Sequence, residues 1–305
     1  MHEMFNRINY KIDEVENETR GSQPTSKSRT TFQAIFWEVL FLLVITVIGG
    51  WLRFHNLGRD SLLFDELISV HQAHLPVSQL LRFAANDVHP PLWPLLLKAM
   101  LLFGNSATVY RFLPAFFGTI SIPLLYILGR TWFSRSVGAV AAILLMVSPF
   151  HVWHSQDARM YTLLMFTGMI SWYVFSLLLT SRKKLPWVWY IIASLVVLYT
   201  HYFGAFLLLS QWGVVSFLRA KNEVSWLFVY RWLRAGGIIG LLFFPWIIFA
   251  SSNIVWSNLQ WLRTLNPLSQ LGWAIVALTS NYSGGYLEAS GLPPVSGGLV
   301  WFQVD

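Results

Sequence analysis

The chain contains no cysteine. No disulfide can brace a loop, and no thiolate can ligate a metal. Charge is scarce too: only 11% of the 305 residues are Asp, Glu, Lys or Arg, against about 25% in a soluble domain. With 55% hydrophobic residues, a soluble globular domain is excluded and a polytopic membrane protein is expected. No internal repeat is visible, which argues against the inverted halves common in transporters. Some thirty polar residues precede the first apolar run, so a cleavable signal peptide is not expected. What is abundant is aromatic, including 16 Trp, residues suited to membrane interfaces. The net charge of +7 does not point to nucleic acid. The basic residues lie between apolar runs, where they orient spans in a bilayer.

The expected architecture is all-α, with about seven transmembrane helices. Residues 1–33 are polar, mixed in charge and without apolar periodicity, as in a disordered cytoplasmic tail. Spans are expected at about 35–53, 110–129, 136–154, 159–180, 185–200, 202–218 and 232–252. Glu38 lies near the start of the first span and Arg53 marks its exit. The apolar stretch 92–104 is too short to cross and carries Lys98, so it reads as an interfacial or re-entrant helix opened by Pro90 and Pro91. With the tail inside, 14 of the 21 Lys and Arg residues fall on inner segments, as the positive-inside rule requires. The expected divisions are the tail 1–33, a membrane domain 34–255 with an outer loop 54–109, and an outer-face segment 256–305.

This topology gathers the polar clusters on the outer face. Phe64–Pro91 holds Asp65, Glu66, Asp87, His71, His74, Arg82 and His89. Asp65 and Glu66 are adjacent and about 100° apart on a helix, so one can face a reacting centre while the other supports it. Such a carboxylate can take a proton from a hydroxyl or hold a divalent cation; the plain alternative is a solvated acidic loop. His89 precedes the Pro-Pro pair and can meet phosphate oxygens or remain a bystander in a turn. His71 and His74 read as surface histidines. In SQDARMY (155–161), Ser155 looks like a helix N-cap and Asp157 a first-turn anion. Arg159 fits that terminus poorly and calls for an acidic partner or an anionic ligand such as phosphate. Arg111 is a comparable case, structural if it pairs with Asp87 or Asp157. His201 and Tyr202 join two short spans, as interface residues or site lining.

In this order, FDE, HPPLWPLLLKAMLLFG, Arg111-Phe-Leu-Pro, SQDARMY and THYFG resemble the polyprenyl-phosphate-sugar-dependent glycosyltransferases of the GT-C superfamily. The nearest branch comprises bacterial relatives of protein O-mannosyltransferases and aminoarabinose transferases, and the resemblance covers about residues 36–255. It implies an inverting transfer of a sugar, mannose or another hexose, from a polyprenyl-phosphate donor to a hydroxyl on a protein, lipid or glycan. It implies a multi-pass protein of the bacterial inner membrane among membrane lipids, with a cytoplasmic N-terminus. Asp65 and Glu66 would be catalytic, with Asp65 facing any divalent metal. His89, Arg111 and Arg159 would bind the donor phosphate, and Asp157, Tyr161 and His201 would line the substrate. Relatives carry further spans beyond the matched part, so the C-terminal part reads as short or truncated. A membrane transporter and an inactive membrane-assembly protein are the alternative readings.

Overall fold

The computed structural model describes residues 26–87, 89–180 and 185–253, with side chains over 33–252 of these. The expected segment 256–305, the Arg182–Lys184 run and most of the expected tail lie outside these residues. Among the described residues there is no strand. The first helix, α1 (Ser26–Phe54), begins inside what composition assigned to the tail.

Three short helices follow: α2 (Phe64–His74), α3 (Val77–Asn86) and α4 (Leu92–Met100), the last continued by a 3₁₀ turn at Leu101–Phe103. α4 and its turn span roughly 20 Å, too short for a hydrocarbon core of about 30 Å. The short-helix reading of 92–104 therefore holds. Lys98 explains its own presence in this apolar stretch. Its Nζ donates to the carbonyls of Ala73 at 3.1 Å and Leu75 at 2.8 Å. A cation there satisfies the orphan carbonyls at the end of α2 and meets the negative end of its dipole.

The bundle then runs α5 (Ala107–Trp132), α6 (Arg135–Val147), α7 (Pro149–Ser155), α8 (Tyr161–Thr180), α9 (Leu185–Thr200), α10 (Gly204–Ala220) and α11 (Trp226–Asn253). A helix stands at each of the seven expected span positions. By length and composition, residues 33–54, 107–132, 161–180 and 226–252 can cross a membrane, and α6 with α7 makes a fifth if the pair counts as one. With 16 and 17 residues, α9 and α10 reach only about 24–26 Å.

Packing follows from small residues and aromatics. α5 and α6 form a tight antiparallel hairpin because Gly129 lies against Gly138. A Cβ on Gly129 would come within 2.8 Å of the Gly138 Cα. At the same end of the bundle, Glu38 of α1 accepts from Arg130 and stands 3.6 Å from Arg135 Nε. Phe175, Tyr190 and Trp232 lock α8, α9 and α11 together. A buried chain of hydrogen bonds joins α9, α10 and α8, from the Tyr190 hydroxyl to Gln211 Oε1 and from Gln211 Nε2 to Ser171 Oγ. At the other end of the bundle, α3 packs on α11 through Ala84, Ala85, Trp246 and Ala250.

Three local expectations are corrected. The span expected at 136–154 is broken, with α6 and α7 meeting at 61°. Pro149 has no N–H for the Leu145 carbonyl, and Ser148 starts the new helix as its N-cap, Oγ accepting from the His151 N–H at 3.3 Å. Ser155 is therefore the last residue of α7 rather than an N-cap, and Asp157 lies in the connection to α8. Arg53 stands at the exit of the first span as expected, in the last turn of α1, with its side chain fully buried, 0% exposed.

Candidate active site

The first-turn position of α2 separates the acidic pair. Glu66 shares the inward face with Ser69, Gln72 and Ala73, all buried, while Asp65 is exposed. Glu66 Oε1 accepts from Arg111 Nε at 2.7 Å and from the Ala158 N–H at 2.8 Å. Glu66 Oε2 accepts from Arg111 Nη2 at 2.7 Å and from the Leu63 N–H at 2.8 Å. Burial would raise the Glu66 pKa. The Arg111 hydrogen bonds and the two backbone N–H groups outweigh it and hold the carboxyl below its ordinary value. The charged form of Glu66 is thus favoured, with every lone pair engaged, and Glu66 is a support for its neighbour.

Arg111 departs from the phosphate-binding expectation. Besides Glu66, Nη1 donates to the carbonyls of Leu57 and Asp60, and Nη2 to that of Ser61. All five of its N–H groups have partners within the protein, so none is left for a phosphate. The partner is Glu66 rather than Asp87 or Asp157, and the pair ties α5 to the approach to α2.

Arg159 is different. It is 8% exposed. Its Nη1 donates to the Ser69 hydroxyl at 3.0 Å and the Asp65 carbonyl at 3.2 Å, and its charge bears on the Tyr161 hydroxyl nearby. It forms no carboxylate ion pair among the described residues, and its buried Nε has no hydrogen-bond partner. Two neighbours share this condition: Asp157 Oδ1 and Thr162 Oγ1 are buried without a partner. Asp157 is 7% exposed. Burial, then the nearby Glu66 charge, push its carboxyl up to about 7 against the opposing pull of Arg159.

A second group closes the site from the side. His89 Nδ1 stands 3.5 Å from Asp87 Oδ2, and Gln72 Nε2 reaches the same oxygen at 3.3 Å. The rings of His89 and His201 meet edge to face with centroids 4.9 Å apart. His201 Nδ1 accepts from the Phe203 N–H at 3.0 Å, which leaves the proton on Nε2. Burial, then the neighbouring His89 and Arg159 side chains, lower the His201 pKa to about 4, so the ring is neutral at pH 7. The structure therefore joins Asp65, Glu66, Arg111, Asp157, Arg159 and Tyr161 around the 156–160 connection, with His89 and His201 beside them.

The surface reading of His71 and His74 agrees with their exposure; His71 lies against Phe83 and His74 against Tyr110. Ser69, Gln72 and Trp93 were not anticipated. Trp93 Nε1 donates to the Ala158 carbonyl at 3.1 Å and so fixes the connection from below. Ser69 and Gln72 had a signal, since with Glu66 they repeat at three-residue spacing along one helix face. No three His, Asp or Glu side chains among the described residues come together as a metal site.

The family model for dolichyl-phosphate-mannose-protein mannosyltransferase matches residues 88–249. That stretch contains His89, Arg111, Asp157, Arg159, Tyr161 and His201 but begins after Asp65 and Glu66. Among curated proteins, no sequence matches this chain. Among solved structures, the S. cerevisiae protein O-mannosyltransferase Pmt1-Pmt2 complex bound to the sugar donor is similar in fold, with a TM-score of 0.55 and 19% identity. The similarity covers 72% of this chain and 34% of that one, so this chain spans about a third of the length of the yeast protein.

Proposed function

We propose that this chain, which belongs to the dolichyl-phosphate-mannose-protein mannosyltransferase family, transfers a sugar from a polyprenyl-phosphate donor to a hydroxyl acceptor at the outer membrane face. The observation that carries this reading is the set of buried polar atoms without partners beside an exposed carboxylate: Arg159 Nε, Asp157 Oδ1 and Thr162 Oγ1, next to Asp65. Buried polar atoms are nearly always satisfied, so a cluster of orphans calls for a polar ligand. A guanidinium among them suits a phosphate.

The chemistry follows from this placement. Asp65 accepts the proton of the acceptor hydroxyl as its oxygen bonds to the anomeric carbon. The bond from that carbon to the donor phosphate breaks, and its electron pair leaves with the phosphate. Arg159 stabilises the charge gained there, and the neutral His201 offers its Nε2–H. Attack opposite the leaving phosphate inverts the anomeric carbon. Glu66 and Arg111 touch none of these atoms; they hold the first turn of α2 and the Ala158 N–H in register. A donor anchored by a prenyl chain accounts for a site at the ends of membrane-spanning helices. Mannose is the donor sugar that the family description and the yeast complex suggest, and a protein hydroxyl is the corresponding acceptor.

The test is turnover by the purified chain of a polyprenyl-phosphate sugar radiolabelled in the sugar. Label moving from the organic to the aqueous phase, or onto an added acceptor, supports the reading. No release with any such donor would contradict it.

A further inference from the structure

The connection 156–160 carries Asp157 and Arg159, yet it is not part of a regular helix. Something must hold it in place before a substrate arrives. Its interior is held by the Glu66 carboxylate and Trp93, but its start is held from another direction. The two N–H groups of Gln156 Nε2 are shared among three carbonyls at and just past the end of α1: Leu52 at 3.2 Å, Arg53 at 3.3 Å and His55 at 3.0 Å. These are carbonyls that the terminating helix leaves without intrahelical partners.

Arg53 holds the opposite side of the same junction. Its Nη1 donates to Gly49 O at 2.8 Å and Met146 O at 3.2 Å. Its Nη2 donates to Leu145 O at 2.9 Å and meets His151 Nδ1 at 2.9 Å. Leu145 O is the acceptor that Pro149 leaves empty, and Met146 O lies at the same bend. A buried guanidinium thus replaces helical hydrogen bonds lost at the break, and its contact with His151 fixes the ring of α7. Gly118 of α5 makes room for this arrangement: a Cβ there would stand 2.2 Å from Ser155 Oγ and 3.2 Å from Arg53 Nε.

We infer that Arg53 and Gln156 are positioning residues, a clasp between the end of α1 and the bent α6–α7 pair that sets where Asp157 and Arg159 stand. Arg53 fixes the angle at which α7 leaves the bend, and Gln156 pins the residue just before Asp157. Neither touches the reacting atoms. The functional part of this inference rests on the sugar-transfer reading; the structural part does not. A lysine at position 53 cannot replace the clasp, because one ammonium cannot reach both Leu145 O and His151 while also holding Gly49 O.

The chain's lack of cysteine makes the test direct. Asp157→Cys and, as a control, Ala235→Cys are placed singly in the full chain, with and without Gln156→Ala. Ala235 is 3% exposed in the contact of α8, α9 and α11. The rate of maleimide labelling is followed in detergent. Gln156→Ala is expected to speed labelling at position 157 by about tenfold or more, as the loss of one or two ordinary hydrogen bonds permits, and to leave position 235 unchanged. In the chain without added cysteine, Gln156→Ala and Arg53→Lys are each expected to weaken binding of labelled polyprenyl phosphate. Unchanged labelling at 157, an equal rise at 235, or unchanged binding despite faster labelling would overturn the clasp. A wild-type chain that neither binds nor turns over donor would instead overturn the sugar-transfer reading, and the labelling result would stand apart from it.

Discussion

At the scale of residues, two neighbouring acids have opposite fates because a helix turns about 100° per residue. Glu66 points inward to Arg111 and Asp65 does not. That the pair would split was legible in the sequence, but which member would turn inward was not, since the deciding partner lies 45 positions away. Arg111 and Arg159 also looked alike as basic residues at helix starts. Only packing shows that one has its donors filled and the other does not. Asp157 provides a test. Its carboxyl rises from 3.8 to about 7 on burial. The folded chain therefore holds a proton there between about pH 4 and 7 that the unfolded chain has lost, and stability falls as pH rises through this window. His201 acts in the opposite sense: with its pKa lowered to about 4, its contribution is fully present above about 6.5 and lost as pH falls. Asp157→Asn is neutral at every pH. The apparent Tm of Asp157→Asn relative to wild type is expected to increase from about pH 5 to about pH 8, because the wild type alone loses the Asp157 contribution. A difference that stays flat or shrinks would contradict the burial of this acid.

At the scale of elements, apolar runs marked where helices lie, and length marked which of them fall short of a span. The break between α6 and α7 was written as Ser148-Pro149, an N-cap followed by a residue without an N–H, inside a run otherwise apolar enough to read as one span. The partners of the freed carbonyls were not legible, because Arg53 comes from 92 residues earlier in the chain. Lys98 was legible as an anomaly rather than as a cap, since its acceptors lie on another helix. Lys98→Met keeps the length and apolar stem but leaves the Ala73 and Leu75 carbonyls without their donor. It is expected to destabilise the chain by about 1–2 kcal/mol, the net worth of hydrogen bonds from a partly buried charged group. Thermal unfolding in detergent should show a lower Tm; an unchanged Tm would mean that the end of α2 needs no cap.

At the scale of the whole molecule, polar and charged residues gather at two ends of an apolar bundle with different characters. One end holds α2–α4, the 156–160 connection and His201; the other holds Glu38 with Arg130 and Arg135. Basic-residue counting puts the first end outside. Arg59→Cys and Lys221→Cys, both at exposed positions, make this checkable in intact cells with a membrane-impermeant maleimide. Label at 59 and none at 221 is expected, and the reverse would invert the topology. The central claim is that Asp65 takes the acceptor proton during sugar transfer from a lipid phosphate. Steady-state turnover of the labelled donor by Asp65→Asn against wild type tests it most directly. The kcat of Asp65→Asn is expected to fall by about a hundredfold or more, the lower bound for a lost general base, with the donor KM nearly unchanged. A variant that retains wild-type kcat would contradict it.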